Sequence, residues 1–331
     1  MSDVNSGTSS SYLVVGVLAG LAAALLFGAT LTGSVLAFML IFMMPLPLFL
    51  AGLGWGPVSA LVGGIVGAIA LAVIGDLRIG IAFAVQIAIT PVVLSHLALI
   101  SRPAPEGSTQ KVEWYPEGRL VLWTAVLSTA LVAVLVFFAG VDETVLKEWA
   151  KEFFTALSKS REVGATPAET AALEQLKRLL EAFAPHILTF SAVIWTSLFL
   201  VVLALAAKLL TASGKNIRTW APFYQLEFPR TSVFGLAAAA FASLLSGKLG
   251  LIGSAAFAAM ATAYAVLGLA AIHGLLANKS ARTSILFGIY GVLFLFPMAI
   301  AVVFALGVAE QAFNLRARFS NPPAGPGPAG T

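Results

Sequence analysis

Uncharged apolar runs of about twenty residues recur along almost the whole chain, and they restrict the fold more than any other feature of the sequence. Residues 14–53 contain no charged side chain. An α-helix needs about twenty apolar residues to cross a bilayer, and it satisfies its own backbone hydrogen bonds, as lipid requires. The chain has 10% charged residues, whereas soluble proteins have roughly 25%. The sequence therefore predicts an all-α fold, a polytopic transmembrane helical bundle.

Hydropathy and helix-breaking residues divide the apolar sequence into nine candidate spans. The candidates are 12–31, 33–53, 57–75, 79–100, 119–140, 185–210, 232–247, 249–276 and 283–307. The first two are separated by a turn signal at Thr32 and Gly33 alone, so a count of eight is the alternative. We expect residues 12–318 to form a single transmembrane domain. The terminal segments 1–11 and 319–331 are expected to be disordered, the second because it is rich in Pro and Gly.

Lysine and arginine in the short loops favour a cytoplasmic amino terminus, because short cytoplasmic loops carry an excess of these residues. On the amino-terminal side, the nine-span prediction places Arg102, Lys111, Arg119, Lys208, Lys215, Arg218, Arg230, Lys279 and Arg282. On the opposite side it places Arg78, Lys248, Arg316 and Arg318. We therefore expect the first group of loops to face the cytoplasm.

Residues 141–184 form the longest segment outside the predicted spans, and their apolar residues recur at helical spacing. In the first half these residues are Leu146, Trp149, Ala150, Phe153, Phe154 and Leu157, and in the second half Leu173, Leu176, Leu180 and Phe183. The pattern predicts an extramembrane amphipathic helical hairpin that packs on the membrane surface. The alternative is a site at which a partner docks.

Small residues repeat every four positions in three of the candidate spans. The glycines of these stripes are Gly16, Gly20, Gly28, Gly63, Gly64, Gly67, Gly235 and Gly247. Residues four apart lie on one face of a helix, where small side chains let two helices approach closely. Packing within this chain is the simpler interpretation. The alternative is that one stripe, in the first instance that of the first span, docks a membrane protein partner.

Ionisable residues inside or beside apolar spans are costly, so they are candidate contacts for a ligand or a partner. The candidates are Asp76, Arg78, Glu117, Arg119, Arg218, Glu227 and His273. Asp76 and Arg78 flank a short turn, where capping and anchoring are the simpler explanation. His273 lies near a helix end, where a hydrogen-bonded histidine is more usual than a ligand or proton-relay group.

No motif in the sequence indicates catalysis, a metal site or a cofactor. The chain has no cysteine, which excludes disulfides and thiolate chemistry. Its three histidines do not form a metal-binding pattern such as HExxH, and "GLGWGP" lacks the lysine of a phosphate-binding loop. We therefore expect a non-catalytic protein whose surroundings are the lipid bilayer, with no nucleic acid as a partner.

The stretch "EWYPEGRLVLW", residues 113–123, places charged and aromatic residues between two apolar spans. Its aromatic residues, Trp114, Tyr115 and Trp123, are of the kind enriched at headgroup depth. Among its charged residues, Glu117 complements the dipole at the start of a helix, and Arg119 can extend toward lipid phosphates. A membrane anchor is therefore favoured over a ligand clamp. Residues 213–230 have a similar composition, and the two segments together could frame a vestibule or a docking surface.

Four segments, "WYPEGRLVLW", "SGKNIRTWAPFYQLEFPR", "GLAAIHGLL" and "LGVAEQAFNLRAR", resemble the YybS-like family of bacterial multi-pass membrane proteins, a domain of unknown function. That family is distantly similar to the S components of energy-coupling-factor transporters. The resemblance implies a bacterial inner-membrane protein, transporter-like, that binds a small ligand and supplies no catalytic residue. The extra spans and the hairpin depart from the six-helix pattern of S components. A structural or regulatory scaffold for other envelope proteins is therefore the alternative.

Overall fold

The computed structural model describes residues 6–30, 40–104, 112–159 and 167–320, and these residues are almost entirely helical. In the first part of the chain the helices are α1 (Ser6–Thr30), α2 (Leu46–Trp55), α3 (Pro57–Ile74), α4 (Leu77–Phe83), α5 (Ile89–Ala98) and α6 (Glu117–Phe137). They are followed by α7 (Glu143–Lys159), α8 (Pro167–Phe183), α9 (Ile187–Ala212), α10 (Ser232–Ala242), α11 (Gly247–Leu275), α12 (Arg282–Leu295), α13 (Ile300–Phe313) and α14 (Leu315–Ser320). The all-helical fold class is confirmed.

Short irregular elements join several of these helices. A π-helical turn at Ala84–Ala88 connects α4 to α5. Turns of 3-10 helix occur at Ile41–Met43, Ala184–His186, Phe223–Gln225 and Pro297–Ala299. Two strands that the sequence did not predict, β1 (Ser101–Pro103) and β2 (Val112–Trp114), pair antiparallel with Arg102 opposite Glu113. The Arg102 Nε atom lies 2.9 Å from Glu113 Oε2 in an exposed ion pair.

Six helices among the described residues are long and apolar enough to cross a membrane. They are Ser11–Thr30, Pro57–Ile74, Leu77–Ala98, Glu117–Phe137, Ala171–Ala212 and Gly247–Leu275. A seventh candidate is the pair Arg282–Leu295 and Pro297–Phe313, which is bent by 117°. Several spans are therefore supported, but the predicted count of eight to nine is not confirmed. The second candidate, 33–53, is represented by the short apolar helix Ile41–Trp55, and its residues 33–39 lie outside the described residues.

The predicted seventh span, 232–247, is interrupted in the structure because α10 ends at Ala242 and α11 begins at Gly247. Gly247 has a φ of 67°, a conformation that glycine adopts without steric cost. A Cβ atom added to Gly247 would meet no atom within 4 Å. Gly247 is therefore a turn residue, and its predicted place in a packing stripe is corrected. Gly235 makes an ordinary contact, with Met260 Cε 3.5 Å from its Cβ position.

At both ends of the described chain, the helices extend closer to the termini than the sequence predicted. Helix α1 begins at Ser6 and α14 ends at Ser320, so residues 6–11 and 319–320 are helical where disorder was expected. Residues 1–5 and 321–331 lie outside the described residues, and their predicted disorder stays a prediction.

The chain divides into two compact units. The first comprises the described residues of Met1–Thr124, Ser197–Ser232 and Thr262–Thr331, and the second comprises those of Ala125–Thr196 and Val233–Ala261. The boundary passes through three long helices, α6, α9 and α11.

In the second unit, α7 and α8 pack against each other. Leu146 and Ala150 of α7 are buried, whereas Trp149 and Phe153 are 48% and 60% exposed. The two helices agree with the periodicity of residues 141–184. Their position outside the membrane stays a prediction.

In the first unit, α1 and α3 cross at their glycines. A Cβ atom added to Gly20 would lie 2.7 Å from the carbonyl carbon of Gly63 and 2.8 Å from its Cα atom. A Cβ atom on Gly63 would lie 2.8 Å from the carbonyl oxygen of Gly16. Across the same crossing, the Ser59 hydroxyl donates a 2.8 Å hydrogen bond to the Tyr12 carbonyl. The two backbones touch directly, so these glycines pack within the chain.

The other stripe glycines of these helices differ in how closely they are approached. A Cβ atom on Gly67 would lie 2.7 Å from Phe83 Cε1, and one on Gly64 would lie 3.0 Å from Ala88 Cβ. At Gly28 the nearest atom, Leu71 Cδ2, is at 3.8 Å, an ordinary contact distance. Because α3 occupies Gly16 and Gly20, these two positions of the first stripe do not offer a free face to a membrane partner.

Candidate functional site

The two segments rich in charged and aromatic residues lie side by side in the first unit, and the Arg218 side chain joins them. Its Nη1 atom donates hydrogen bonds to the carbonyl oxygens of Ala98, at 2.8 Å, and Tyr115, at 3.2 Å. Its Nη2 atom donates to Glu117 Oε1, with which it forms an ion pair. The Arg218 side chain is 2% exposed, so this contact is a buried junction between residues 98–117 and the loop after α9.

A buried guanidinium is stable here because its charge and its N–H groups are matched by neighbours. Burial lowers the pKa of Arg218, and the Glu117 carboxylate opposes that change. The guanidinium carbon also lies 4.2 Å from the centre of the Trp220 ring and 5.9 Å from that of Trp114, distances typical of cation–π contacts.

Glu117 contacts the second segment at two points. Besides accepting from Arg218, its Oε1 atom accepts a 3.2 Å hydrogen bond from the backbone N–H of Ala221. From its position at the start of α6, Glu117 is predicted to complement the helix dipole, and the structure adds the buried Arg218 guanidinium as an ionic partner. The anchor interpretation of residues 113–123 is therefore incomplete, since it gave the carboxylate no such partner.

The aromatic residues and Arg119 of the same segment lie closer to the surface. Trp123 Nε1 donates a 3.1 Å hydrogen bond to the Tyr115 hydroxyl, and the Arg119 guanidinium lies 5.8 Å from the Tyr115 ring centre. Arg119 is exposed. These contacts suit the predicted interfacial anchor.

A second arginine, Arg316, contacts a later part of the loop that follows α9. It was not among the candidate site residues predicted from the sequence. Arg316 Nε lies 2.7 Å from Glu310 Oε1, and the Glu310 side chain is 3% exposed. Arg316 also donates to the carbonyl oxygens of Tyr224 and Leu226. Asn314, with a φ of 50°, ends α13 in the left-handed conformation. The sequence offers one signal for this ion pair, which is that Glu310, the helix-ending Asn314 and Arg316 lie within seven residues of one another.

The Arg316 contact corrects part of the predicted topology. The nine-span prediction places Arg316 on the opposite side of the membrane from residues 213–230, yet Arg316 binds Tyr224 and Leu226. The reason is the 117° bend between Arg282–Leu295 and Pro297–Phe313, where the sequence predicts one span, 283–307.

A cavity of about 450 Å³ opens between the start of α6, the last turns of α9 and the loop that the two arginines hold. Its wall is mainly apolar and includes Leu120, Val121, Leu203, Ala207, Leu226 and Val266. Its polar lining consists of Glu117, Lys208, Trp220, Gln225 and Glu227. Two of the predicted site residues, Glu117 and Glu227, thus meet at one cavity, and Arg218 lies directly behind Glu117.

The remaining predicted site residues do not line this cavity. Asp76 caps α4, as expected, because its Oδ1 atom accepts a 3.0 Å hydrogen bond from the N–H of Ile79. Arg78 is exposed, and no ion pair joins it to Asp76 in the part of the chain that the structure describes. His273 Nδ1 lies 2.9 Å from the Leu269 carbonyl oxygen. Among the described residues, no group of three or more His, Asp or Glu side chains could hold a metal ion.

Among comparisons with known proteins, a match to one protein family was found. No curated protein and no solved structure matches the chain. A family model described as "Predicted membrane protein (DUF2232)" matches residues 21–310. The matched range includes α3, every residue that lines the cavity, and Glu310. Because the match covers most of the chain, this protein belongs to the DUF2232 family of predicted membrane proteins.

Proposed function

We propose that this chain is a non-catalytic, transporter-like membrane component that binds a small ligand in the cavity beside Glu117. The cavity is the observation that carries the proposal. Its volume of about 450 Å³ falls within the range of small-molecule sites, about 300–1,000 Å³. Its apolar wall with a few polar side chains is also typical of such sites, in which apolar surface supplies affinity and polar groups fix orientation.

The wall of the cavity is held in place before any ligand arrives. The loop between α9 and α10 has little regular structure, but Arg218 and Arg316 fix it at both ends of the stretch that lines the cavity. A loop ordered in advance loses less conformational freedom on binding, so more of the contact energy becomes affinity. This preorganisation supports a binding role for the cavity.

A structural or regulatory scaffold is the second candidate, and the helical hairpin favours it. Besides Trp149 and Phe153 of α7, Leu179 and Phe183 of α8 are 49% and 53% exposed. Exposed apolar residues in one region commonly mark a protein or membrane contact. The scaffold would bind other envelope proteins through this hairpin.

Filling the cavity should remove a bound ligand. Ala204 lines the cavity, so Ala204→Trp places a large ring in the ligand volume. We expect the variant to lose the small molecule that co-purifies with the native protein in mild detergent, as measured by native mass spectrometry. Val201→Trp is the matched control, because Val201 lies on the same helix, is 64% exposed and does not line the cavity. Equal ligand occupancy in both variants would contradict the proposal.

The proposed setting is the bacterial inner membrane, with a cytoplasmic amino terminus and the segment 213–230 on the same side. Moving Arg316 and Arg318 to that side leaves Arg78 and Lys248 as the basic residues of the short loops opposite, which strengthens the charge bias. A total of eight spans would require both short apolar helices, Ile41–Trp55 and Ser232–Ala242, to count as spans. Short spans are accommodated by local thinning of the bilayer.

Cysteine labelling tests this arrangement, since the chain has no cysteine of its own. Ser213, Ala317 and Ala156 are exposed, so each is replaced singly with cysteine. We expect an impermeant maleimide to label Ala156→Cys in intact cells, and Ser213→Cys and Ala317→Cys only after the membrane is permeabilised. Labelling of Ala317→Cys but not Ser213→Cys in intact cells would show that the two lie on opposite sides.

A further inference from the structure

The charged side chains that line the cavity differ in whether they already have a partner. Glu117 is paired with Arg218 and also accepts the Ala221 N–H. Glu227 and Lys208 are both exposed, and neither forms an ion pair within the described part of the chain. Two residues of the cavity lining therefore carry a charged group without an ion-pair partner among the described residues, the carboxylate of Glu227 and the ammonium group of Lys208.

The opposite charges of Glu227 and Lys208 restrict the kind of ligand that can replace the water around these two side chains. Desolvating a charge is costly unless an opposite charge or a hydrogen bond replaces the water. Because Lys208 and Glu227 are exposed, a ligand with a single charge can pair with only one of them, and the other side chain keeps its water. A ligand that carries both charges can make a charge-assisted hydrogen bond to each side chain.

We infer that the ligand is a small zwitterion with an apolar body. Its ammonium group binds Glu227, its carboxylate or phosphate binds Lys208, and its apolar body lies against residues such as Leu203, Ala207 and Val266. This inference rests on the proposed function of the cavity. The same chemistry occurs in free apolar amino acids and in the headgroup of an ethanolamine phospholipid, so the test must separate the two sources.

The test measures probe binding to the full chain, purified in a non-ionic detergent. Four probes share a phenyl group: phenylalanine, 2-phenylethylamine, 3-phenylpropionate and 3-phenyl-1-propanol, which are zwitterionic, cationic, anionic and neutral. Lysophosphatidylethanolamine and lysophosphatidylglycerol form a second, lipid set. Trp220 lines the cavity, so its fluorescence reports binding, and isothermal titration gives the dissociation constants.

We expect the zwitterion of at least one set to bind about ten times more tightly than the other members of that set. Glu227→Gln and Lys208→Gln should each remove this preference, whereas Lys279→Gln, at an exposed lysine that does not line the cavity, should leave it unchanged. Preference for phenylalanine identifies a free solute, and preference for the ethanolamine lipid identifies a headgroup.

Two results would overturn the inference, and they are distinguishable. If 3-phenyl-1-propanol binds as tightly as phenylalanine, and the two lipids bind equally, the cavity binds ligands but does not select zwitterions. If none of the six probes binds and no small molecule co-purifies, the proposed binding function fails as well.

Discussion

Replacing Arg316 with glutamine is expected to lower the free energy of unfolding by about 3–5 kcal/mol, the usual cost of removing one partner from a buried ion pair. The physical reason is the carboxylate that remains. Glu310 is 3% exposed, so water reaches it poorly once the guanidinium is gone. The variant also loses the donors to the Tyr224 and Leu226 carbonyls. Reversible unfolding of the purified protein in mixed micelles measures the difference.

The exposed pair Arg102–Glu113 is the matched control, because its side chains are 75% and 42% exposed. Arg102→Gln removes the same kind of charge from a pair that water already surrounds, and exposed pairs contribute little to stability. We expect its unfolding free energy to stay close to that of the native chain. The double variant Glu310→Gln/Arg316→Gln should recover part of the loss, since it leaves no buried charge. Equal losses for Arg316→Gln and Arg102→Gln would contradict the buried ion pair.

The second large effect is expected at the crossing of α1 and α3. Gly20→Leu should lower the free energy of unfolding by about 3 kcal/mol, at the upper end of the usual cost of overpacking. The atoms that a Cβ would meet belong to the backbone of Gly63, and a backbone cannot turn aside as a flexible side chain does. The helices must therefore separate. Thermal unfolding in detergent, followed by circular dichroism, measures the loss.

Gly288→Leu is the control for that variant. Gly288 lies in α12, and a Cβ atom there would meet nothing within 4 Å. The same substitution in a helix but without a close neighbour should change stability little. If the two variants melt at the same temperature, the direct contact between Gly20 and Gly63 does not exist.

The sequence predicted the features that depend on local composition and spacing. Hydropathy identified the long helices because each residue contributes separately to transfer into lipid. The four-residue spacing of Gly16, Gly20 and Gly63 predicted close helix packing because it places small residues on one face. The spacing does not identify the helix that packs against each small-residue face. A stripe that packs against α3 has the same sequence pattern as one that packs against another subunit.

The features that the sequence missed depend on residues far apart in the chain or on the geometry of one turn. Hydropathy joined α12 to α13 and extended α10 through Gly247, because averaging over a window does not register a bend or a positive φ. At the site, Glu117, Arg218 and Glu227 were chosen as costly charges near apolar spans, and they do meet around one cavity wall. Lys208 was counted only as a loop charge, and Glu310 was not considered. Composition does not show which charged residues are buried or paired with one another.

The backbone contact between α1 and α3 has a consequence for how the protein responds to temperature. Glycine has no side-chain rotamers to lose when two helices meet, and its backbone is already ordered once each helix has formed. Association inside lipid also gains nothing from the hydrophobic effect, which weakens on cooling in water. The crossing at Gly20 and Gly63 should therefore keep its strength at low temperature, while elements held by burial of apolar surface from water lose part of theirs.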